Sequence, residues 1–172
     1  IAELKRCKDL GLKGVVFHKF PNGSGKAKRE DDRFWDVAQE MEMALCAHIT
    51  FGDPPPSMVP PPPFSAHMAG GVLYPFSQMM ELLVFDKFKN LEILLAETGA
   101  SWMTAGMSSY DLTYERYRSG FSVEYKKPPT EYLKEHAWFS FTDDRMAMKL
   151  SLLNPVIDKV MWGSAFPREF SP

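Results

Sequence analysis

No apolar run in these 172 residues approaches the roughly 20 consecutive positions that a helix needs to cross a bilayer. No basic-then-apolar leader opens the chain either. Charge of neither sign is in excess, and a net charge of −2 offers nothing to a polyanion such as nucleic acid. Cysteine is scarce: Cys7 and Cys46 are far apart, with no spacing that encodes a zinc or redox motif. Both read as small buried side chains in a reducing compartment. No Gly-x-Gly-x-x-Gly follows the first predicted strand, which removes the dinucleotide-binding signature. An initiating methionine is also missing. Ile1 begins directly in helical pattern, and the expectation is a chain that starts partway through a larger protein. What remains is a soluble, cytoplasmic chain, 45% hydrophobic and 24% charged, long enough for one domain (1–172) and too short for two comfortable ones.

What is present is organised around Leu91 to Trp102. An apolar, β-prone run, Leu91-Glu92-Ile93-Leu94-Leu95-Ala96, stops at a carboxylate, Glu97, followed by Gly99 and an aromatic residue. In parallel α/β sheets the loops leaving the C-terminal ends of strands carry the chemistry. Two readings of Glu97 therefore stand, a site acid at a strand end and a solvated loop acid.

The remaining pattern alternates. Leu4, Cys7 and Leu10 recur at helical spacing, and a strand follows at Gly14 to His18. Asp31 or Asp32 is expected to cap a helix from Arg33 to Leu45, and Cys46 to Phe51 is the next strand. Residues 52–74 change composition sharply, with Asp53-Pro54-Pro55-Pro56 and Pro60-Pro61-Pro62-Pro63, so neither a helix interior nor a sheet ladder fits there. A lid over a strand end and a docking peptide for a proline-binding module are the two readings; the lid is preferred, because long loops in compact α/β chains are mostly functional. Pro75 to Asn90 reads as one helix feeding the Leu91 strand. A short helix at Asp111 to Gly120, another at Thr130 to Glu135, a strand at Ala137 to Thr142, a helix from Asp144 to Leu153 capped by Asp143, and a last strand at Lys159 to Ser164 complete the order.

Five strands joined by helices call for right-handed crossovers and a parallel sheet. The fold class is α/β, TIM-barrel-like. Eight strands close such a barrel, so about strands 4–8 are represented and the barrel is incomplete. Phe139 and Trp162 are expected in its core, and His136 at the surface of its opposite end. Strand edges left open predict self-association, hence a homo-oligomer.

The order Gly14-Val15-Val16, His48 in a strand, Ala96-Glu97-Thr98-Gly99-x-x-Trp102, Asp143-Asp144 and Met161-Trp162-Gly163-Ser164-Ala165-Phe166-Pro167 resembles the metal-dependent amidohydrolase superfamily. More narrowly, it is similar to the branch of aminocarboxymuconate-semialdehyde decarboxylase and hydroxybenzoate-type decarboxylases. The resemblance implies a divalent metal, zinc or alternatively manganese, and a small carboxylate-bearing or aromatic-acid substrate. It places His48 on the fifth-strand metal ligand, in agreement with the affinity of neutral imidazole for zinc; without it, a satisfied core histidine is the better reading. It places Glu97 where relatives have either a second His or this Glu, beside the metal water or substrate.

Two departures accompany it. The chain contains no His-x-His, the first-strand ligand pair of that family. Where relatives read Gly-Ser-Asp-Phe-Pro-His, this chain reads Gly163-Ser164-Ala165-Phe166-Pro167-Arg168, and alanine can neither coordinate a cation nor take a proton. A catalytically impaired enzyme or a non-catalytic binding or assembly protein is the alternative. His18 at a strand end, His67 in the lid, Trp102 and Arg168 are the candidate substrate contacts, Arg168 through bidentate pairing with a carboxylate. Tyr110 and Asp111 either line the pocket or pack the loop.

Overall fold

The computed structural model describes residues 1–48, 51–52, 73–120, 123–150 and 156–167. Five strands, β1 (Gly14–Phe17), β2 (Ala44–His48), β3 (Ile93–Ala96), β4 (Ala137–Phe141) and β5 (Val160–Trp162), form one sheet in the order β1-β2-β3-β4-β5. Every neighbouring pair is parallel, with Val16 opposite Cys46, Leu45 opposite Ile93, Leu95 opposite Phe139 and Ser140 opposite Met161. All five strands thus end on the same side. Between them lie α1 (Ala2–Asp9), before β1, then α2 (Asp32–Glu40), α3 (Leu73–Glu81), α4 (Val84–Lys87), α5 (Trp102–Tyr117), α6 (Pro129–His136) and α7 (Arg145–Leu150).

One face of the sheet is dry. Leu45, Ala47, Ile93, Leu95, Ala137 and Phe139 are buried, and aromatic contacts such as Phe17 with Trp35 of α2 and Phe139 with Trp102 of α5 show that this face meets the helices. Each large side chain so buried contributes about 1.5–3 kcal/mol. The alternate positions face the other way and are more open. Val16 is 61% exposed and Met161 39%, so this second face is not covered by the described residues.

Several boundaries differ from the sequence expectation. The helix foreseen from Arg33 to Leu45 stops at Glu40, and Leu45 instead belongs to β2. The cause is a Schellman-type stop: Glu42 adopts φ +50° and donates its N–H to Gln39 O, while Met43 N–H reaches Ala38 O. Met43 and Ala38 are both buried, the apolar contact that accompanies such a stop. Asp31 does not cap α2 through its side chain. Its buried carboxylate accepts the backbone N–H groups of Asn22 and Lys28 and the Asn22 amide, closing the preceding loop. The single helix expected over Pro75 to Asn90 is two, broken where Leu83 takes φ +55°. The short helix expected at Asp111 is the last part of a 16-residue α5 that begins at Trp102.

Two side chains are corrected outright. Trp162 is 60% exposed rather than core, its indole N–H donating to Thr142 O. His136 is buried rather than at the surface, stacked on Phe85 with Nδ1 2.9 Å from Leu91 O. Burial holds its pKa below the ordinary value, against the opposing effect of that carbonyl. The two cysteines are free and half-buried.

A non-glycine residue in the left-handed region costs roughly 1–2 kcal/mol, part of which glycine gives back as chain entropy. Glu42→Gly, at an exposed position with φ +50°, is therefore expected to stabilise the protein by about 0.5–1 kcal/mol, read as a rise in the urea midpoint at unchanged slope.

Candidate functional site

The C-terminal ends of β2 and β3 bring His48 and Glu97 together. His48 is the last residue of β2, and Ala96, its partner in the register, is the last of β3. Glu97 is the next residue, and its Oε2 lies 3.4 Å from His48 Nε2. Both side chains are mostly covered, 17% and 27% exposed. His18, one step past the end of β1, stands edge-on to His48 at 5.6 Å between ring centroids, and is exposed. The three thus sit on adjacent strand ends, in the order His18, His48, Glu97.

The described residues that follow these strands are held by backbone hydrogen bonds. After β2, Phe51 N–H returns to His48 O and Gly52 N–H to His18 O, while Phe51 packs edge-on against Phe17. After β3 the backbone turns left-handed at Glu97 (φ +60°) and again at Gly99 (φ +69°). Glu97 N–H donates to Ser140 Oγ at 2.9 Å and Gly99 N–H to Ser140 O at 3.2 Å. Asp144 Oδ2 accepts the N–H groups of Ala100 and Ser101, each at 2.8 Å, and its Oδ1 accepts that of Ala147. The residue that caps α7 is thus Asp144 rather than Asp143, and the same carboxylate holds the start of α5.

Electrostatics follow from this packing. Burial pushes the Asp144 carboxyl up, but the backbone donors of Ala100, Ala147 and Ser101 outweigh it and hold the group below its ordinary value. Cys46, two residues before His48 on the same strand, has its thiol pushed up by burial and by the nearby Glu97 carboxylate. In the absence of a cation it rests as a neutral thiol at physiological pH.

Trp102 opens α5, with its indole N–H on Thr98 O and its ring against Phe139, on the helix side of the sheet. Tyr110 and Asp111 lie further along α5, where Tyr110 pairs with Ser77 and Asp111 accepts from Thr130; they tie α5 to α3 and α6. His67, Arg168 and the proline runs of the expected lid fall outside the described residues. Ala165 lies within them and adopts φ +55°. A cleft of 650 Å³ lined by Met43, Ala44, Leu94, Trp138 and Met161 opens at the opposite, N-terminal half of the uncovered face; neither His48 nor Glu97 lines it. The holding roles of Ser140 and Asp144 were missed from sequence, where the only signal was the Asp143-Asp144 pair after a strand.

The chain belongs to the amidohydrolase family, whose model matches residues 1–169. No curated protein matches the sequence. Solved structures similar to it include 5-carboxyvanillate decarboxylase from Sphingomonas paucimobilis, 17% identical with a TM-score of 0.77, covering 96% of this chain and 52% of that one. Another is 2,6-dihydroxybenzoate decarboxylase from Rhizobium, 18% identical with a TM-score of 0.71, covering 96% of this chain and 55% of the other. A third, dihydroxybenzoic acid decarboxylase from Polaromonas sp. JS666 with bound manganese and the inhibitor 2-nitroresorcinol, is 20% identical with a TM-score of 0.68, covering 99% and 55%. This chain spans about half the length of the structures it matches. These likenesses establish its α/β fold as that of the TIM-barrel amidohydrolases, of which the five-stranded sheet is a part.

A group whose folded pKa is lowered adds stability that is complete above its unfolded value and is lost as pH falls through the folded one. For Asp144 that loss begins near the ordinary carboxylate value of 3.8. Asp144→Asn, which keeps an acceptor oxygen without the titration, is expected to flatten the acid side of a plot of melting temperature against pH. An unchanged acid slope contradicts this account.

Proposed function

We propose that this chain carries part of the active site of a metal-dependent decarboxylase or hydrolase acting on a small carboxylate-bearing or aromatic-acid substrate. The observation that carries the reading is the His48–Glu97 pair at adjacent strand ends, where a (β/α) barrel keeps its chemistry. The solved neighbours favour decarboxylation, since three of them are decarboxylases of aromatic acids.

The donor chemistry suits a divalent cation in part. His48 offers an imidazole nitrogen and Glu97 a carboxylate beside it, and both zinc and manganese accept such ligands. Among the described residues no group of three or more His, Cys, Asp and Glu side chains is placed to hold a metal ion. A bound cation supplies Lewis-acid polarisation of a substrate oxygen or an activated water. The protein's own residues divide the rest: His48 fixes the donor direction, and Glu97 orients a water or holds a proton at Oε2. His18, exposed beside His48, faces the substrate side. Arg168 and His67 remain proposed substrate contacts on sequence grounds alone, as a guanidinium and an imidazole, while Trp102 acts at the site through the loop it braces.

A second reading, a non-catalytic binding or assembly protein, is favoured by one observation. Ala165 stands where the resemblance calls for a metal-binding Asp, and it does so with a left-handed backbone that Asp tolerates better than Ala.

Elemental analysis and manganese titration separate the two. The first reading expects near-stoichiometric zinc or manganese. His48→Ala should weaken manganese binding by more than about 100-fold, since even outer partners of metal ligands are worth 10–100-fold. Ala165→Asp should strengthen it by about tenfold or more, a gain of at least ~1.4 kcal/mol. No metal in the parent chain and none in Ala165→Asp would favour the non-catalytic reading.

A further inference from the structure

We infer that Ser140 and Asp144 are positioning residues for Glu97, acting on its main chain so that its carboxylate is delivered to His48; the inference rests on the reading of Glu97 as a site residue. The parallel register of β3 and β4 runs Ile93–Ala137, Leu94–Trp138, Leu95–Phe139, and then stops. The next residue of β4 is Ser140. It holds the departing chain at two points: its hydroxyl accepts Glu97 N–H and its carbonyl accepts Gly99 N–H. Residues 97 and 98 lie between those two points, with Thr98 buried and its hydroxyl donating to Leu95 O.

A glutamate at φ +60° persists only where its surroundings over-determine it. Asp144 supplies the rest of that constraint. Its Oδ2 takes both Ala100 and Ser101 N–H groups, fixing the chain three and four residues after Glu97. A Cβ at Gly99 would lie 3.1 Å from that same oxygen, so the loop approaches the carboxylate as closely as only glycine comfortably allows. With the backbone fixed on both sides, the Glu97 side chain leaves β3 toward β2 and places Oε2 3.4 Å from His48 Nε2. Neither Ser140 nor Asp144 is within the reacting group itself; each sets where another residue stands.

The test is the through-space NMR contact between the Glu97 side chain and the His48 ring in the full chain, beside manganese affinity. In Ser140→Ala and Asp144→Ala the contact is expected to fall several-fold while the amide signals of β1 and β2 keep their positions. Ser140→Thr, which retains the hydroxyl, should restore it. Manganese affinity should fall by the same factor in Asp144→Ala as in Glu97→Ala, with no further loss when the two are combined. A residue that only stabilised the fold would lower affinity on the Glu97→Ala background too, and that outcome overturns the inference. So does a Glu97–His48 contact of full strength in both alanine variants. Should Ser140→Ala fail to fold, Asp144→Ala decides alone. If the parent chain binds no manganese, the metal reading fails, and the NMR contact still decides the positioning.

Discussion

Parallel pairing of each strand with its sequence neighbour is the constraint on which everything else rests. Because β1 to β5 run the same way in chain order, every connection must return along the helices, and all five C-terminal ends gather on one side. His18, His48 and Glu97 are far apart in sequence, yet each stands just at or past the end of a strand. The ladder alone makes them neighbours. A one-residue slip of β2 against β3 would turn His48 onto the helix-facing side and put Ala47 in its place.

The dry face supplies the energy to hold that register. Leu45, Ala47, Ile93, Leu95 and Phe139 interlock with the helices, while the opposite face leaves Val16 and Met161 to solvent. The asymmetry is what a five-strand part of a barrel shows, with one layer of helices outside and an interior that further strands would line. The match to about half the length of the solved amidohydrolases agrees with it.

Strand and helix order was readable from sequence because buried parallel strands appear as short apolar runs between helical periodicities. His48 and Glu97 were singled out only through resemblance for the first and through a carboxylate ending an apolar run for the second. What stayed hidden depends on contacts distant in sequence. The end of α2 is the local exception: a glutamate at φ +50° closes it through bonds to Gln39 and Ala38, in a conformation that glycine signals and glutamate does not. Trp102 begins a helix that propensity alone placed nine residues later, because Asp144, from beyond the next strand, secures its first turn. His136 follows two charged residues, Lys134 and Glu135, in sequence, yet its ring stacks on Phe85 from α4 and lies inside. Trp162 is the reverse case, an aromatic in the last strand of the sheet order that stays largely exposed.

The manner in which residue 97 is held has a consequence for the family's history. Its main chain is held by Ser140 directly and by Asp144 a few residues further on. A change from glutamate to another proton-handling side chain at this position would leave the support untouched, so chemistry here can diverge by single substitutions without rebuilding the loop. The resemblance, in which relatives carry either His or Glu at this place, is what such an arrangement permits. Selection can try a new acid or base at the mouth of the sheet while the scaffold stays indifferent to the trial.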